Sequence, residues 1–520
     1  MMASARIKSG RPSAWNSGWS PAGTRSGRDR RYTPGASAQP SAALTLKAAA
    51  AGHPLSEPGI AADLDRREHE IESGFARLTS VLEELAPQQF AADFPQSAVR
   101  SLSMIGIEAQ DNWFEASWTK PLDMGAVQAR CASRLFAKLV ETGSERIHFA
   151  CSEGEQVADL IHRWGFHAVD VTACADGRLA GLLGPVLRVP LSIVTSRRSY
   201  AGAMFSVAEA VQAWEKVELG RWRQGVPNAA DEATRYLKIG VYHYSSVDPT
   251  HEGCAAHGSD DSQAVSALHE RLNQFKAAVE ISHGAGESIA LLMVGVDTDT
   301  DAIRVHVPDG SGALHADRYV STVDLHDATK DLSREAAKEA IRTEVATCTG
   351  VAEDDSETEG MRWLCGYLLK NNLAQVEAVL RKYAGPYPVA GHAEKLIVIG
   401  DPVDDVQLRN LAFQAQMGSV EEGAGDLAVG IKILKKRCSS EGLPVPVLVL
   451  REYDPELPGD EEAAHKAAAR MQQAVTTQAE SGAVVVEAAL RPVNGGKLKF
   501  INTVREPFSA CHCGHGETKS

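Results

Sequence analysis

Apolar residues recur with the period of one helix face in the first part of the chain. Over 63–85 the intervals between them are seven, four, three, four and three, and Pro87 ends the pattern. A second helix is predicted to begin at an Asp123 cap. Its apolar stripe consists of Val127, Cys131, Leu135 and Leu139. We therefore expect a small helical domain over 51–145, with the cysteine of the second stripe in its core.

Farther along, short apolar runs alternate with helical stretches, which is typical of a partly parallel α/β sheet. The first such segment contains predicted strands at 168–174, 237–243, 289–296 and 303–307 and a predicted helix at 264–279. A later segment contains predicted strands at 395–399, 447–450, 483–490 and 497–501 and a predicted helix at 462–478. Because the order of elements recurs, the sequence predicts a duplicated α/β domain.

These patterns divide the 520-residue chain into four parts. A tail over 1–50 precedes the helical domain, a first α/β domain occupies 146–392, and its second copy occupies 393–520. The tail is rich in Ser, Gly, Ala, Arg and Pro, so we expect it to be disordered.

Charge is distributed unevenly along the chain. The tail carries eight Lys and Arg residues against one acid, although the formal net charge of the whole chain is −15. A basic arm on an acidic body predicts an acidic partner for the arm. A solvated tail or a transit peptide is the alternative interpretation.

Nine cysteines in so long a chain are too sparse for a disulfide scaffold. The sequence opens without a secretory signal pattern, and its apolar runs are shorter than the roughly 18 residues that a membrane span requires. We therefore expect a protein of the reducing cytoplasm that does not cross a membrane.

A thiol, a carboxylate and a guanidinium stand at alternate positions where the first predicted strand ends: Cys174, Asp176 and Arg178. His243 ends another predicted strand, and Cys254 lies in the loop after it. Because ligand sites of α/β sheets gather at the carboxyl ends of strands, we expect these groups to meet. Two thiolates and one imidazole form a set that, in zinc sites, leaves a fourth position open for water. The sequence therefore predicts a catalytic metal site.

Two other interpretations of these residues remain open at this point. His243 shares a strand face with apolar residues, so it can be a satisfied core histidine. Asp176 and Arg178 can be a surface ion pair, which contributes under ~1 kcal/mol.

The second copy differs from the first at the corresponding positions. In place of Cys174, Asp176 and Arg178 it has Gly400, Pro402 and Asp404, and a short loop at 456–460 replaces the cysteine loop. We therefore expect the second copy to be a structural partner without catalysis. The acidic segment 297–301 lacks the glycine and distal glutamate of a calcium loop, so a solvated hairpin turn is predicted there.

Three segments of the first copy carry a resemblance to a known family. Cys174-Ala-Asp-Gly-Arg178, Val241-Tyr-His-Tyr244 and His251-Glu-Gly-Cys-Ala-Ala-His257 resemble the carboxysome shell carbonic anhydrases, a divergent branch of the β-type enzymes also called the ε class. The resemblance implies an α/β (α+β) fold. In that fold an N-terminal helical domain precedes two β-carbonic-anhydrase-like domains, of which the second is degenerate.

The resemblance also implies one Zn²⁺ per subunit, bound by Cys174, His243 and Cys254. Asp176 and Arg178 are then the catalytic pair beside the metal. The implied pair has a physical rationale, because two thiolates cancel the charge of the ion and weaken its effect on bound water.

One alternative ligand set stays open. Ordinary β-type enzymes carry His-x-x-Cys, a pattern that selects His251 with Cys254 in this chain. The position at a strand end favours His243 instead. His257 is expected to support the loop rather than to ligate.

The implied activity is the interconversion of CO2 and bicarbonate, which supplies CO2 to Rubisco inside an α-carboxysome. The resemblance places a homodimer or larger assembly at the inner face of the shell, in the bacterial cytoplasm. The basic tail is expected to bind shell proteins or Rubisco rather than a nucleic acid. The alternatives are a zinc-containing scaffold protein without catalysis and a related small-molecule hydrolase on the same fold.

Overall fold

The structure, a computed structural model, describes residues 46–115, 122–143, 157–179, 182–189, 193–226, 234–350, 358–389, 391–403, 409–440, 442–479, 482–493 and 495–501. The predicted disordered tail lies outside the described residues as far as position 45. Within the described part of the chain, no helix combines the length and the apolar character that crossing a bilayer demands.

Among the described residues, three helices form the N-terminal layer. They are α1 (Pro58–Leu85), α2 (Phe94–Met104) and α3 (Met124–Gly143). The predicted first helix is confirmed, although it begins five residues earlier, where Pro58 occupies the first helical turn. The Asp123 cap is also confirmed, since its Oδ1 accepts the Ala126 N–H at 2.9 Å. Cys131 is fully buried as predicted.

The helical layer shares its core with a sheet rather than enclosing one of its own. Leu78 and Phe136 belong to the same apolar cluster as Leu396 and Leu448, which lie on strands of the second α/β domain. The layer therefore covers one face of the second sheet.

The first α/β domain contains a six-stranded sheet in the order β2-β1-β3-β4-β5-β6. Its strands are β1 (Phe166–Cys174), β2 (Ser196–Tyr200), β3 (Arg235–Tyr244), β4 (Ile289–Asp297), β5 (Ile303–His306) and β6 (Val320–Ser321). The first four strands in the order are parallel, and the last two are antiparallel to their neighbours. The predicted partly parallel sheet is thus confirmed.

The described part of this domain also contains six helices: α4 (Val157–Arg163), α5 (Val207–Arg223), α6 (Asp261–His283), α7 (Thr322–Thr329), α8 (Arg334–Thr349) and α9 (Glu359–Tyr383). α5 and α6 cover one face of the sheet. α8 and α9 cover the other face. Both faces are therefore dry, as parallel sheets require.

The second α/β domain contains β7 (Leu396–Gly400), β8 (Ala412–Gln416), α10 (Ala424–Ser440), β9 (Val445–Tyr453), α11 (Asp460–Gln478), β10 (Val484–Pro492) and β11 (Lys499–Phe500). Its strand order, β11-β10-β9-β7-β8, is that of the first sheet from β5 to β2. The strand directions also correspond, with only the β10–β11 pair antiparallel. The predicted duplication is therefore visible in the topology.

Strand register aligns the two copies residue by residue. Cys174, the last residue of β1, pairs with Tyr200, and Gly400, the last residue of β7, pairs with Gln416. Gly400 thus stands where the first copy has Cys174, as predicted.

The turn between β4 and β5 corrects one prediction. It is the expected hairpin turn, but it is buried rather than solvated: all five residues from Asp297 to Asp301 are at most 5% exposed. Hydrogen bonds replace water there, since Asp297 accepts from the amide and hydroxyl of Ser246, and Asp299 accepts from the Ser245 hydroxyl. Burial and the neighbouring Asp299 raise the pKa of Asp297 to about 6. The turn therefore supports the start of the loop after β3.

Candidate metal centre

Three side chains of types that commonly bind metals lie close together at the carboxyl ends of β1 and β3. Cys174 ends β1, His243 is the next-to-last residue of β3, and Cys254 caps a short 3-10 turn, Ala255–His257, in the loop after β3. Their ligand atoms all lie within 4.8 Å of one another, and all three residues are buried. The two cysteines and the histidine therefore lie close together, as the sequence predicted.

The donor set fits a zinc ion. The two sulfurs are 4.0 Å apart, close to the separation of about 3.8 Å that two Zn–S bonds of ~2.3 Å span in a tetrahedron. His243 is fully buried, and neither of its ring nitrogens has a hydrogen bond of good geometry, although Nε2 lies 3.2 Å from Asp176 Oδ2. A buried imidazole without a hydrogen bond is unfavourable unless a ligand occupies it, so this histidine is not a satisfied core residue.

The two thiols differ in their electrostatic surroundings. The hydrogen bond with Cys254 and burial raise the pKa of Cys174 well above its usual value. The same bond lowers the pKa of Cys254, against the effect of burial. Cys174 Sγ also accepts the Gly202 N–H at 3.2 Å.

Asp176 and Arg178 form a buried bidentate pair beside the cluster. Arg178 Nε donates to Asp176 Oδ1 at 3.0 Å, and Nη2 donates to Oδ2 at 2.8 Å. Burial alone favours a neutral Asp176, but Arg178, His392 and His243 outweigh it and hold the pKa of this carboxyl well below its usual value. Asp176 Oδ2 lies 3.2 Å from His243 Nε2. Asp176 is therefore ionised and lies beside the two thiols and His243. The alternative of a surface ion pair is wrong, because the Asp176–Arg178 pair is buried.

Arg178 also fixes the loop that carries Cys254. Its Nη1 donates to the carbonyl oxygen of Glu252 at 2.7 Å, and its Nη2 lies 3.5 Å from the carbonyl oxygen of Gly253. One guanidinium thus joins the acid to the cysteine loop, so the two parts of the site cannot move independently.

Two site residues were missed from the sequence. His392 lies 3.8 Å from Asp176 through Nε2 and 2.9 Å from Glu394 through Nδ1. Although burial opposes it, Asp176 and Glu394 raise the pKa of His392. Both residues precede β7, whereas sequence reasoning examined only carboxyl ends of strands. The pattern His-x-Glu directly before a predicted strand was the available signal.

The other histidines of the loop lie outside the cluster. His251 is exposed and bonds Asp248 and Thr250. His257 Nε2 lies 3.3 Å from the carbonyl oxygen of Gly202. His251 therefore cannot join the two thiols in this arrangement, and His257 supports the neighbouring turn.

The second copy fills the equivalent place with an ion pair. By strand register, Arg451 occupies the position in the second copy that corresponds to His243 in the first. Its Nε lies 3.4 Å from Asp401 Oδ2. With Gly400 in place of a cysteine, no thiol or imidazole remains at these positions. Asp404 lies outside the described residues. Within the described part of 393–501, no group of side chains able to hold a metal is complete by itself.

The second copy nevertheless contacts the site of the first. Gly177 donates its N–H to Glu394 Oε1 at 3.1 Å. The amides of Asn410 and Gln414 donate to the carbonyl oxygens of Gly177 and Ala175. Hydrogen bonds from residues of the second domain therefore hold the loop that carries Asp176 in position.

In the described part of the chain, fold and site define a class: a duplicated α/β protein in which two thiols and an imidazole that could hold a metal lie beside an acid–arginine pair. Sequence comparison gives the same division into parts. The profiles of the Carboxysome Shell Carbonic Anhydrase N-terminal, catalytic and C-terminal domains match residues 53–143, 156–392 and 393–501. The chain belongs to the carboxysome shell carbonic anhydrase family, and its enzyme class is carbonic anhydrase.

Curated relatives share this similarity over most of their length. A carboxysome shell carbonic anhydrase of Halothiobacillus neapolitanus is 40% identical over 84% of this chain and 86% of the relative. One of Prochlorococcus marinus is 40% identical over 81% and 82%. One of Hydrogenovibrio crunogenus is 37% identical over 78% of each chain.

Proposed function

We propose that the protein is a zinc carbonic anhydrase in which Cys174, His243 and Cys254 hold one Zn²⁺ per subunit. The observation that carries this proposal is the buried His243, which has no hydrogen bond of good geometry and lies within 4.8 Å of two thiols beside an ionised Asp176. A zinc ion bound there supplies the Lewis acidity that activates water at neutral pH.

Asp176 orients the attacking water. Arg178 donates to both of its carboxylate oxygens, and the backbone N–H of Arg178 donates to Oδ1 at 2.8 Å. Oδ2 keeps a lone pair on the side of His243, where it can accept the proton of a water molecule. Because the acid stays ionised, it acts as an acceptor and aims an oxygen lone pair of that water at CO2.

Arg178 keeps Asp176 from becoming a fourth ligand. A carboxylate that accepts three hydrogen bonds from one arginine cannot rotate toward the sulfurs without breaking them. With zinc held by Cys174, His243 and Cys254, this restraint on Asp176 would leave room for substrate water beside the metal.

Inside the cell we propose that the enzyme works in the α-carboxysome. There it converts bicarbonate to CO2 for Rubisco, at the inner face of the shell and as a homodimer or larger assembly. The relatives' names and the basic N-terminal tail support this placement. Deletion of residues 1–45 should preserve catalysis and abolish encapsulation, and loss of turnover on deletion contradicts the assignment.

Metal analysis and stopped-flow CO2 hydration on the purified chain test the enzymatic part. We expect one zinc per subunit, retention of zinc in Asp176→Ala, and a loss of rate of at least 100-fold in that variant. The scaffold alternative predicts zinc without turnover, and the hydrolase alternative predicts turnover of another substrate only.

His243→Ala and His251→Ala form a matched pair for the ligand assignment. The first should lose stoichiometric zinc and the second should retain it. The reverse result assigns the imidazole ligand to His251 and refutes this site.

A further inference from the structure

The second α/β domain contacts the sulfur side of the metal cluster as well as the acid side. Its helix α10 packs against two short turns of the first domain, Ala201–Ala203 and Ala255–His257. The first turn contacts Cys174 through Gly202, and the second begins at the Cys254 cap. One helix of the non-catalytic domain therefore lies against the supports of both thiol ligands.

Two consecutive amides of the first turn have different acceptors. Ala201 N donates to Asp426 Oδ1 of α10 at 3.0 Å, and Gly202 N donates to Cys174 Sγ at 3.2 Å. These amides belong to adjacent peptide planes that meet at the Ala201 Cα, and only the φ and ψ angles of Ala201 separate them, so the carboxylate that holds the first amide restricts the direction of the second. Hydrogen bonds to a ligating atom tune its basicity and orient it toward the metal.

The turn has little freedom to adjust on its other side. Gly202 has φ of 64°, a left-handed conformation that favours glycine. A Cβ at this position would lie 2.5 Å from His257 Nε2 and 3.1 Å from the Ala256 Cβ. The backbone therefore fits closely between α10 and the Ala255–His257 turn.

We propose that Asp426, in the domain without a metal cluster, is a positioning residue that holds the Ala201–Gly202 amides so that Gly202 N–H bonds Cys174. This inference rests on the proposed zinc function and gives the degenerate copy a defined task at the site of the other. Asp426 acts on Cys174 through the turn, because its Oδ1 accepts the Ala201 N–H next to the Gly202 amide.

The test compares three variants of the full chain: Asp426→Ala, Asp426→Asn and Glu421→Ala. Asparagine retains an oxygen acceptor for Ala201 N. Glu421 is an exposed carboxylate just ahead of α10 and serves as the control for charge near the helix. Zinc affinity is measured by chelator competition, and the thiolate-to-cobalt absorption of the Co²⁺-substituted protein reports the geometry at sulfur.

In Asp426→Ala we expect the zinc dissociation constant to rise about tenfold and the thiolate-to-cobalt band to shift. Asp426→Asn should recover most of the affinity, and Glu421→Ala should match wild type. A folded Asp426→Ala protein with wild-type zinc affinity and an unshifted band overturns the inference. If alanine prevents folding, Asp426→Ser, whose shorter side chain ends short of the Ala201 amide, replaces it with the same expected result.

Failure of the inference and failure of the proposed function give different results. If wild-type protein binds no stoichiometric zinc, the zinc function itself is wrong. If wild-type protein binds zinc and hydrates CO2 while Asp426→Ala is indistinguishable from it, only the positioning role is wrong.

Discussion

Gly177, in the loop that carries Asp176, and Glu394, in the other α/β domain, share a hydrogen bond of 3.1 Å from the amide of the glycine to the carboxylate. Glu394 is only 1% exposed, and its Oε1 also meets His392 Nδ1 at 2.9 Å. A carboxylate buried at a domain boundary is stable only when such partners surround it. The bond between these two residues therefore makes the position of the Asp176 loop depend on the second domain.

Gly177→Ala should disable the enzyme more than it destabilises the fold. A Cβ at this position would overlap the Glu394 side chain and lie 2.7 Å from the Ala412 carbonyl oxygen, which is backbone and cannot yield. We expect the loop to shift by enough to move Asp176 and to lower CO2 hydration by 100-fold or more, since misplacement by about 1 Å has that cost. Stopped-flow hydration assays on zinc-loaded protein measure the effect.

Gly220→Ala is the matched control for that variant. Gly220 lies in α5, and a Cβ there meets no atom within 4 Å. Its rate should be unchanged and its stability should rise by about 0.5–1 kcal/mol, because alanine costs less conformational entropy in a helix. Equal rates for both variants contradict a steric constraint at Gly177.

Arg178→Lys tests whether geometry or charge matters in the acid–arginine pair. Lysine keeps the positive charge but cannot donate a parallel pair of bonds to Asp176 and, at the same time, reach the Glu252 carbonyl oxygen. We expect kcat to fall by about 10- to 100-fold with zinc retained, and Arg178→Ala to fall further. Wild-type kcat in the lysine variant would show that charge alone suffices.

Much of the metal cluster was predictable because its signals are local. Cys174 and His243 end strands whose apolar runs are visible in the sequence, and parallel strands bring such ends to one edge. The match of Gly400 to Cys174 followed from the same strand pattern. In these cases the apolar pattern of one strand and the identity of the residue at its end are enough for the prediction.

The missed features depend on packing between distant segments. Glu394 reaches Gly177 only because two domains meet, and no local pattern encodes that contact. Helix α9 was not predicted, because its central residues from Asn371 to Leu380 are all buried. A helix buried on every side has no one-sided apolar stripe in its sequence. The acidic turn after β4 was assigned to solvent because its hydroxyl partners, Ser245 and Ser246, lie about 50 residues earlier.

Metal removal should lower the thermal stability of the protein. Without a metal, neither ring nitrogen of the buried His243 has a hydrogen bond of good geometry. Refilling with zinc at 100 times its dissociation constant should stabilise the folded state by about 2.7 kcal/mol. Calorimetry with and without chelator measures the shift in Tm, with Mg²⁺ as the control, since that ion prefers oxygen ligands. An unchanged Tm contradicts a metal bound by these side chains.

Acid should detach the segment that follows the N-terminal tail. This segment docks at His53, whose Nδ1 accepts the Leu55 N–H and whose Nε2 donates to Thr329 Oγ1. Glu377 accepts the amides of Ala49 and His53. Burial and the stacked His326 lower the pKa of His53 to about 4, although Glu377 opposes them.

When the segment detaches, the pKa of His53 returns to its ordinary value of 6.5. Between pH 6.5 and about 4 the detached ring therefore binds a proton more readily than the docked ring does. Docking is therefore fully stable above pH 6.5 and weakens as the pH falls toward 4. Although burial opposes it, the bond with His326 lowers the pKa of Glu377, so acid below about pH 4.5 weakens docking further. Hydrogen exchange of residues 46–56, corrected for intrinsic rates, should show lower protection at pH 5 than at pH 7. In His53→Gln, which cannot titrate, the difference between pH 5 and pH 7 should disappear, and equal protection in wild type at both values contradicts the mechanism.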